Sequence, residues 1–411
     1  MTVECPPSST SHEEPQLPWC QTPLKPSKAL SRAAGCKVYM KLENLQPSGS
    51  YKSRGMGNMY LRSLAALPDP SHAHFYCSSG GNAGLAAATA GKMLGCPTTV
   101  VVSRRTSDLM REKIRDMGAD LHVYGDSLNE ADTHMREVLM KNDPGAVYCP
   151  PFDHPYVWEG NSTIITEIAR QMPANHPIPD AIVFSVGGGG LFNGIVAGMK
   201  AHGWSHVPIV AVETRGADSL AASMAADEHI ALPSITSRAT SLGATRVSRQ
   251  TWEYARDGGR SAGLDVRSVV LTDDEALMGC VRLAEDERFL VEDACGVSVA
   301  TVADGALRRA CPELREDSLV VVIVCGGSNV TMEMLLEMKE KHLQHKKQST
   351  HPPAKVQIAL ETPSQSLHSK HQAAITTAPA APKSPTGSAR SRPALTSRWS
   401  WRSWRRSSAA A

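Results

Sequence analysis

The chain has 411 residues, 41% hydrophobic and 20% charged, which suits a soluble globular protein with two domains or one large bilobed core. The formal net charge of +2 is unevenly spread: from His345 onward eleven Lys or Arg face one acidic residue, Glu361, so the body is mildly acidic at −8, which argues against a nucleic-acid enzyme. The ten cysteines form no Cys-x-x-Cys pair or zinc-like spacing, Met1 to Leu17 has no apolar run, and the longest strongly apolar run, Leu319 to Cys325, is too short to cross a bilayer; a reduced, cytoplasmic protein without a membrane segment is expected.

Residues 1–20 read as a disordered leader. Gln21-Thr22-Pro23-Leu24 opens the globular part, and Val38 to Glu43 is the first clear strand. Pro47-Ser48-Gly49-Ser50-Tyr51-Lys52-Ser53-Arg54-Gly55 is then a turn that opens a helix, with Ser50 as its N-cap and Lys52 in its first turn. A helix N-terminus already favours anions, so a charged structural lysine is out of place there, whereas a neutral, covalently engaged amine is not. Read alone, the run is equally a solvated serine-rich turn.

His74 to Cys77 is a short strand running into Ser78-Ser79-Gly80-Gly81-Asn82-Ala83-Gly84 and a helix that ends at Gly95. Strand Thr98 to Val102, helix Ser107 to Met117, strand Asp120 to Tyr124 and helix Trp158 to Gln171 follow. Strand Ala181 to Val186 feeds Gly187-Gly188-Gly189-Gly190-Leu191, Ile209 to Glu213 is another strand, and Ser268 to Arg288 reads as mostly helix with Asp273 and Asp274 near its start. Val320 to Cys325, the most apolar strand, ends in Gly326-Gly327-Ser328-Asn329. Alternating strands and helices predict an α/β fold with mostly parallel sheets covered by helices, and continuous apolar strands belong at a sheet centre. The pattern stops at His345, and 345–411 reads as a disordered basic tail; its closing run Trp399 to Arg406, rich in Trp and Arg, leaves binding to an acidic partner as an alternative.

Ligands of open α/β sheets sit beyond the carboxyl ends of the strands, where four loops here carry small or polar residues. Gly187 to Gly190 lets several backbone N–H groups approach one phosphate, but lacks a dinucleotide fingerprint and an NTPase lysine, so a monophosphate fits best. Ser78 to Asn82 suits a carboxylate or phenolate, and Cys325 supplies a weakly acidic thiol. Each has a plainer reading in isolation: a tight glycine turn, an N-cap, an inert buried cysteine. Together with Lys52 they make the inventory for pyridoxal phosphate, whose aldehyde needs a lysine and whose phosphate needs a cradle.

From about Thr22 to Leu343, these motifs in this order resemble the fold-type II pyridoxal-phosphate enzymes, and within them the catabolic L-serine/L-threonine dehydratases. The resemblance implies a two-domain, tryptophan synthase β-like fold, with 21–45 and 156–344 forming a large cofactor-binding domain and 46–155 a small one. It implies that Lys52 carries the cofactor and serves as catalytic base, that Asn82 bonds the phenolic oxygen, and that Gly187, Gly188, Gly189, Gly190 and Leu191 hold the phosphate. Tyr51 and Ser241 would flank the pyridine ring, Cys325 would face its nitrogen, and Ser78, Ser79 and Gly80 would bind the substrate carboxylate. A monovalent cation such as K+ would take Glu213 and backbone oxygens of Gly187, Ala217, Leu242 and Ala244. The chain departs from the family at Asp293, where proline is usual, at Asn161, where histidine is common, and at Gly80, which replaces an alanine of the liver-type enzymes. The implied reaction is β-elimination of L-serine to pyruvate and ammonia, with L-threonine giving 2-oxobutanoate, in a cytoplasmic homodimer of amino-acid catabolism. The alternatives are serine racemisation, β-replacement, or a non-catalytic cofactor-binding or tail-mediated interaction protein.

Overall fold

A computed structural model describes residues 17–349; the leader up to residue 16 and the tail from residue 350 lie outside the described residues. Two sheets organise the chain. The larger runs β1 (Leu24–Pro26), β2 (Lys37–Lys41), β10 (Leu319–Ile323), β7 (Ala181–Ser185), β8 (Ile209–Thr214) and β9 (Val266–Leu271) in that spatial order. Only β1 against β2 is antiparallel. The smaller sheet, β5 (Asp120–Val123), β4 (Thr98–Val102), β3 (His74–Ser78) and β6 (Ala146–Tyr148), is wholly parallel. This is the predicted α/β architecture of helix-covered, mostly parallel sheets.

The apolar run Leu319-Val320-Val321-Val322-Ile323 lies inside the larger sheet, with Val320 beside Val38 on one side and Ala181 on the other, and every residue of it is buried. Its core is continuous with Phe184, Phe192 and Val212. In the smaller sheet, β4 is buried throughout and packs with the Asn82–Leu94 helix, whose alanines Ala86, Ala87, Ala88 and Ala90 allow close approach.

Four expectations need correction. Ser268 to Leu271 is strand, not helix: the β-branched run Val269-Val270 extends the sheet beside β8, and the helix begins at Asp273 behind a capping box of Thr272 and Glu275. Ser50 does not cap the Lys52–Ala66 helix, because its hydroxyl is buried without a partner while its backbone bridges to Gly326. The last helix, Met332–Ser349, runs past His345. Within the stretch read as leader, Pro18 is buried and faces Gly57, and Cys20 N–H donates to Gln46 Oε1 at 3.0 Å.

Beneath the Lys52 helix lies a buried charge network. Arg54, with a wholly buried side chain, donates to Glu43 at 2.7 and 2.8 Å and to Glu167 at 2.6 and 2.8 Å, and Lys41 joins Glu167 at 2.5 Å. Paired guanidinium and carboxylate forks meet the condition for burying charge. The network ties β2, the Lys52–Ala66 helix and the Pro155–Gln171 helix together two residues from Lys52.

Candidate active site

The Lys52 loop is stitched to the end of β10. Tyr51 N–H donates to Cys325 O at 3.1 Å, Gly327 N–H donates to Gly49 O at 2.9 Å, and Ser50 pairs with Gly326 as an isolated antiparallel bridge. This approach needs glycine at Gly49, Gly326 and Gly327, all of which have positive φ. The stitching delivers Lys52 at the first helical position, where its Nζ donates to Pro151 O at 2.9 Å. Burial lowers the ammonium's pKa from 10.5 to about 8, against a smaller opposing effect of the Cys77 and Cys325 thiols. The Tyr51 ring lies beside the amine, its centroid 5.3 Å from Nζ.

Pro151 leads to Phe152, whose ring covers Gly188 and whose backbone abuts Gly190. A methyl group on Gly188 would run into that ring, and Gly189, at φ +92°, has Thr251 against it, so side chains are excluded from Gly188 and Gly189. Among the described residues, no backbone N–H of Gly187, Gly188, Gly189, Gly190 or Leu191 finds an acceptor. Five consecutive unfilled donors at the start of the Gly190–Ala201 helix make an anion cradle. Asn161 donates to Gly190 O at 3.0 Å and leaves its own Oδ1 buried without a partner. Ser248 N–H donates to Gly188 O at 2.9 Å, and Thr251 Oγ1 to Gly189 O at 3.3 Å, bracing the loop from behind.

Cys325 sits where β10 ends beside β7, with Sγ 3.7 Å from Ser185 Oγ. Burial raises its thiol to about 11, so it is neutral at physiological pH. Asn82, the first residue of its helix, accepts from Ser328 N–H at 2.9 Å and donates to Ser241 Oγ at 3.2 Å and to the Glu292 carboxylate at 3.1 and 3.2 Å. Glu292 also accepts from Ser241 Oγ at 2.5 Å and from Asn329 N–H at 2.7 Å. This buried carboxylate thus joins three loops, and the sequence reading did not single it out as a site residue. Lys52, Tyr51, Asn82, Ser241 and Cys325 therefore share one linked cluster, and Gly187 joins it by packing on Ser241 and Leu242.

The Ser78 to Gly80 group is less uniform than expected. The Ser78 hydroxyl is engaged elsewhere, donating to Asp132 at 2.6 Å, which Tyr148 also reaches at 3.0 Å. Ser79 Oγ accepts from Gly81 N–H at 3.4 Å. Gly80 has Thr106 so close that any side chain there would collide with it, a contact invisible in the sequence because it spans two loops.

Glu213, next to last in β8, is fully buried, and its oxygens accept from Leu220 and Ala221 N–H at 2.8 and 2.7 Å. Desolvation raises it to about 8 against those hydrogen bonds. Ala217 N–H bonds back to Thr214 O at 2.8 Å, and Ala244 N–H to Leu242 O at 2.7 Å. No group of three or more His, Cys, Asp or Glu is arranged for a metal ion among the described residues, so a cation here would draw most of its ligands from carbonyls.

Comparison with known proteins places the chain among relatives of one family. A family model described as "Pyridoxal-phosphate dependent enzyme" matches residues 16–326. The chain is 41% identical over 330 residues to the L-serine dehydratase/L-threonine deaminase of Homo sapiens, covering 78% of this chain and 94% of that protein. It is 42% identical over 321 residues to a serine dehydratase-like protein of Homo sapiens, covering 77% and 93%. The crystal structure of a fungal L-serine ammonia-lyase from Rhizomucor miehei superposes with TM-score 0.73 at 33% identity, covering 80% of this chain and all of that one.

Proposed function

Since the chain belongs to the pyridoxal-phosphate dependent enzymes, we propose that it is an L-serine ammonia-lyase that converts L-serine to pyruvate and ammonia and L-threonine to 2-oxobutanoate and ammonia. The observation that carries this reading is the pairing of a partly buried lysine of lowered pKa with five unfilled backbone donors reached through the same Pro151-Phe152 turn. These residues fit the cofactor. The glycine run offers backbone donors to a phosphate, with Phe152 and Thr251 leaving no room for a Cβ on Gly188 or Gly189, and Lys52 provides an amine that loses its proton easily.

Lys52 would hold the cofactor covalently, Gly187 to Leu191 its phosphate and Asn82 its phenolic oxygen, with Tyr51 and Ser241 flanking the ring and Cys325 at its nitrogen. When bound, pyridoxal phosphate supplies an aldehyde that captures the substrate amine and a conjugated ring that takes up the electron pair released at Cα. The chain supplies the rest. Lys52 Nζ would accept the Cα proton, and an amine near pKa 8 is matched to that task. Ser79 and the backbone around Gly80 orient the substrate carboxylate, while the Ser78 hydroxyl, held by Asp132, fixes the loop. Glu292 keeps the Asn82 amide and the Ser241 hydroxyl in place. Cys325, a neutral thiol, leaves the ring nitrogen without a strong proton partner, which favours prompt elimination over longer-lived chemistry.

A monovalent cation such as K+ at Glu213 and the carbonyls of Gly187, Ala217, Leu242 and Ala244 completes the reading. So do a small domain over 46–155 beside a larger one, a homodimer, and a cytoplasmic place in amino-acid catabolism. No helix among the described residues is long and apolar enough to cross a membrane. The test is purified protein with L-serine, following visible cofactor absorbance and keto-acid together. Lys52→Ala should abolish both, and D-serine in place of pyruvate would convict the reading of the wrong reaction.

A further inference from the structure

The segment from Ser237 to Leu242 carries two groups of the proposed site, Ser241 at the ring and the Leu242 carbonyl at the cation; its regular structure is the short turn Thr240–Leu242, with Ala239 N–H on Ser237 Oγ at 3.0 Å and Thr240 N–H on Arg238 O at 2.8 Å. Its shape is imposed from outside by acids at the starts of two helices. Asp273 accepts from Ser237 Oγ at 2.5 Å and from Arg238 N–H at 2.7 Å, and its carbonyl takes the Arg238 guanidinium at 2.6 Å. Asp293, with a side chain only 7% exposed, takes Arg238 Nε at 2.6 Å. Its neighbour Glu292 grips Ser241.

Asp293 occupies a position that suits proline. It is the first residue of the Asp293–Ala303 helix, its N–H has no acceptor among the described residues, and Glu292 before it is extended at φ −76°, ψ 161°. The chain places there instead a carboxylate whose polar partners are Arg238 and, at 3.7 Å, the Cys280 thiol.

We infer that Arg238 and Asp293 form a positioning clamp that holds Ser241, and through it Asn82, in register with the cofactor ring. The clamp sets cofactor affinity, and the fold does not depend on it. This rests on the reading of Ser241 and Asn82 as cofactor contacts.

The test compares Asp293→Pro and Arg238→Lys with the unaltered chain, each stripped of cofactor and titrated with pyridoxal phosphate by visible absorbance, alongside backbone hydrogen exchange and thermal unfolding. Asp293→Pro should raise the cofactor dissociation constant about tenfold, the usual scale for losing a supporting contact behind a ligand. Exchange should quicken over 237–244 alone, and the unfolding midpoint should stay within about 4 °C. Arg238→Lys, which keeps the charge but not the fork, should fall between. Affinity within twofold of the unaltered chain in both variants would overturn the clamp, as would a large drop in midpoint with exchange quickened throughout, which marks a merely structural pair. If Asp293→Pro does not fold, Arg238→Lys decides by the same affinity and exchange criteria. Failure of the unaltered chain to develop absorbance would instead sink the cofactor reading, while exchange over 237–244 would still decide whether the pair orders the segment.

Discussion

An amine captures an aldehyde only after shedding its proton, and burial has moved Lys52 in that direction, to about 8. Capture of cofactor by the stripped protein should therefore speed up about tenfold per pH unit below 8 and level off above it, measured as the rate of visible absorbance gain across a pH series. The stability linkage has the same sign. A lysine whose pKa is lower folded than unfolded burdens the fold fully below pH 8 and progressively less as pH rises toward 10.5. Lys52→Met should accordingly raise the unfolding midpoint of the stripped protein at pH 7 and lose that advantage by pH 10. At Cys325, proposed to face the ring nitrogen, Cys325→Asp replaces a neutral thiol with a carboxylate and should increase the share of turnovers lost to transamination, measured by pyridoxamine phosphate formed per pyruvate. Lys52 and the glycine run were legible because each stands oddly where it is, and Asn82 was read through the family resemblance. Glu292 was not, since an acid before a helix looks ordinary, and its bond to Asn82 spans 210 residues.

Helices and strands carry these residues into place, and the Lys52–Ala66 helix is fixed at its start by Arg54. Arg54→Met would leave Glu43 and Glu167 buried without their strongest partner. It should cost about 3–5 kcal/mol, read as a lowered denaturant midpoint with unchanged slope. A run of β-branched residues or a clear cap made an element readable in advance: Thr98 to Val102, and the helix behind Ser107, whose hydroxyl accepts from Met110 N–H. The Asp293–Ala303 helix was not, because nearly all of it is buried and it shows no apolar stripe against a polar one. The β9 strand was missed for a related reason. Its half-buried Val269-Val270 runs straight into a strongly helical sequence, with only Thr272 marking the boundary.

Across the described residues, two mostly parallel sheets raised from separate stretches of chain supply loops to one cluster: β3 from the smaller, β7, β8 and β10 from the larger. The strand–helix alternation announced the sheets, but strand order depends on crossovers that local patterns do not encode. The human L-serine dehydratase/L-threonine deaminase aligns over 94% of its own length with 78% of this chain, and the family match ends at residue 326. Ending the chain after Ser349 should leave kcat/KM for L-serine within about twofold, assayed as pyruvate release.

The ladder joining Gly49 and Tyr51 to Gly327 and Cys325 has a kinetic corollary. With its main chain moored to the central strand, Lys52 would fill its proposed roles of tether and base by swinging its own aliphatic arm. Exchange of one amine for another should then proceed at side-chain speed, without waiting for a loop to open and shut.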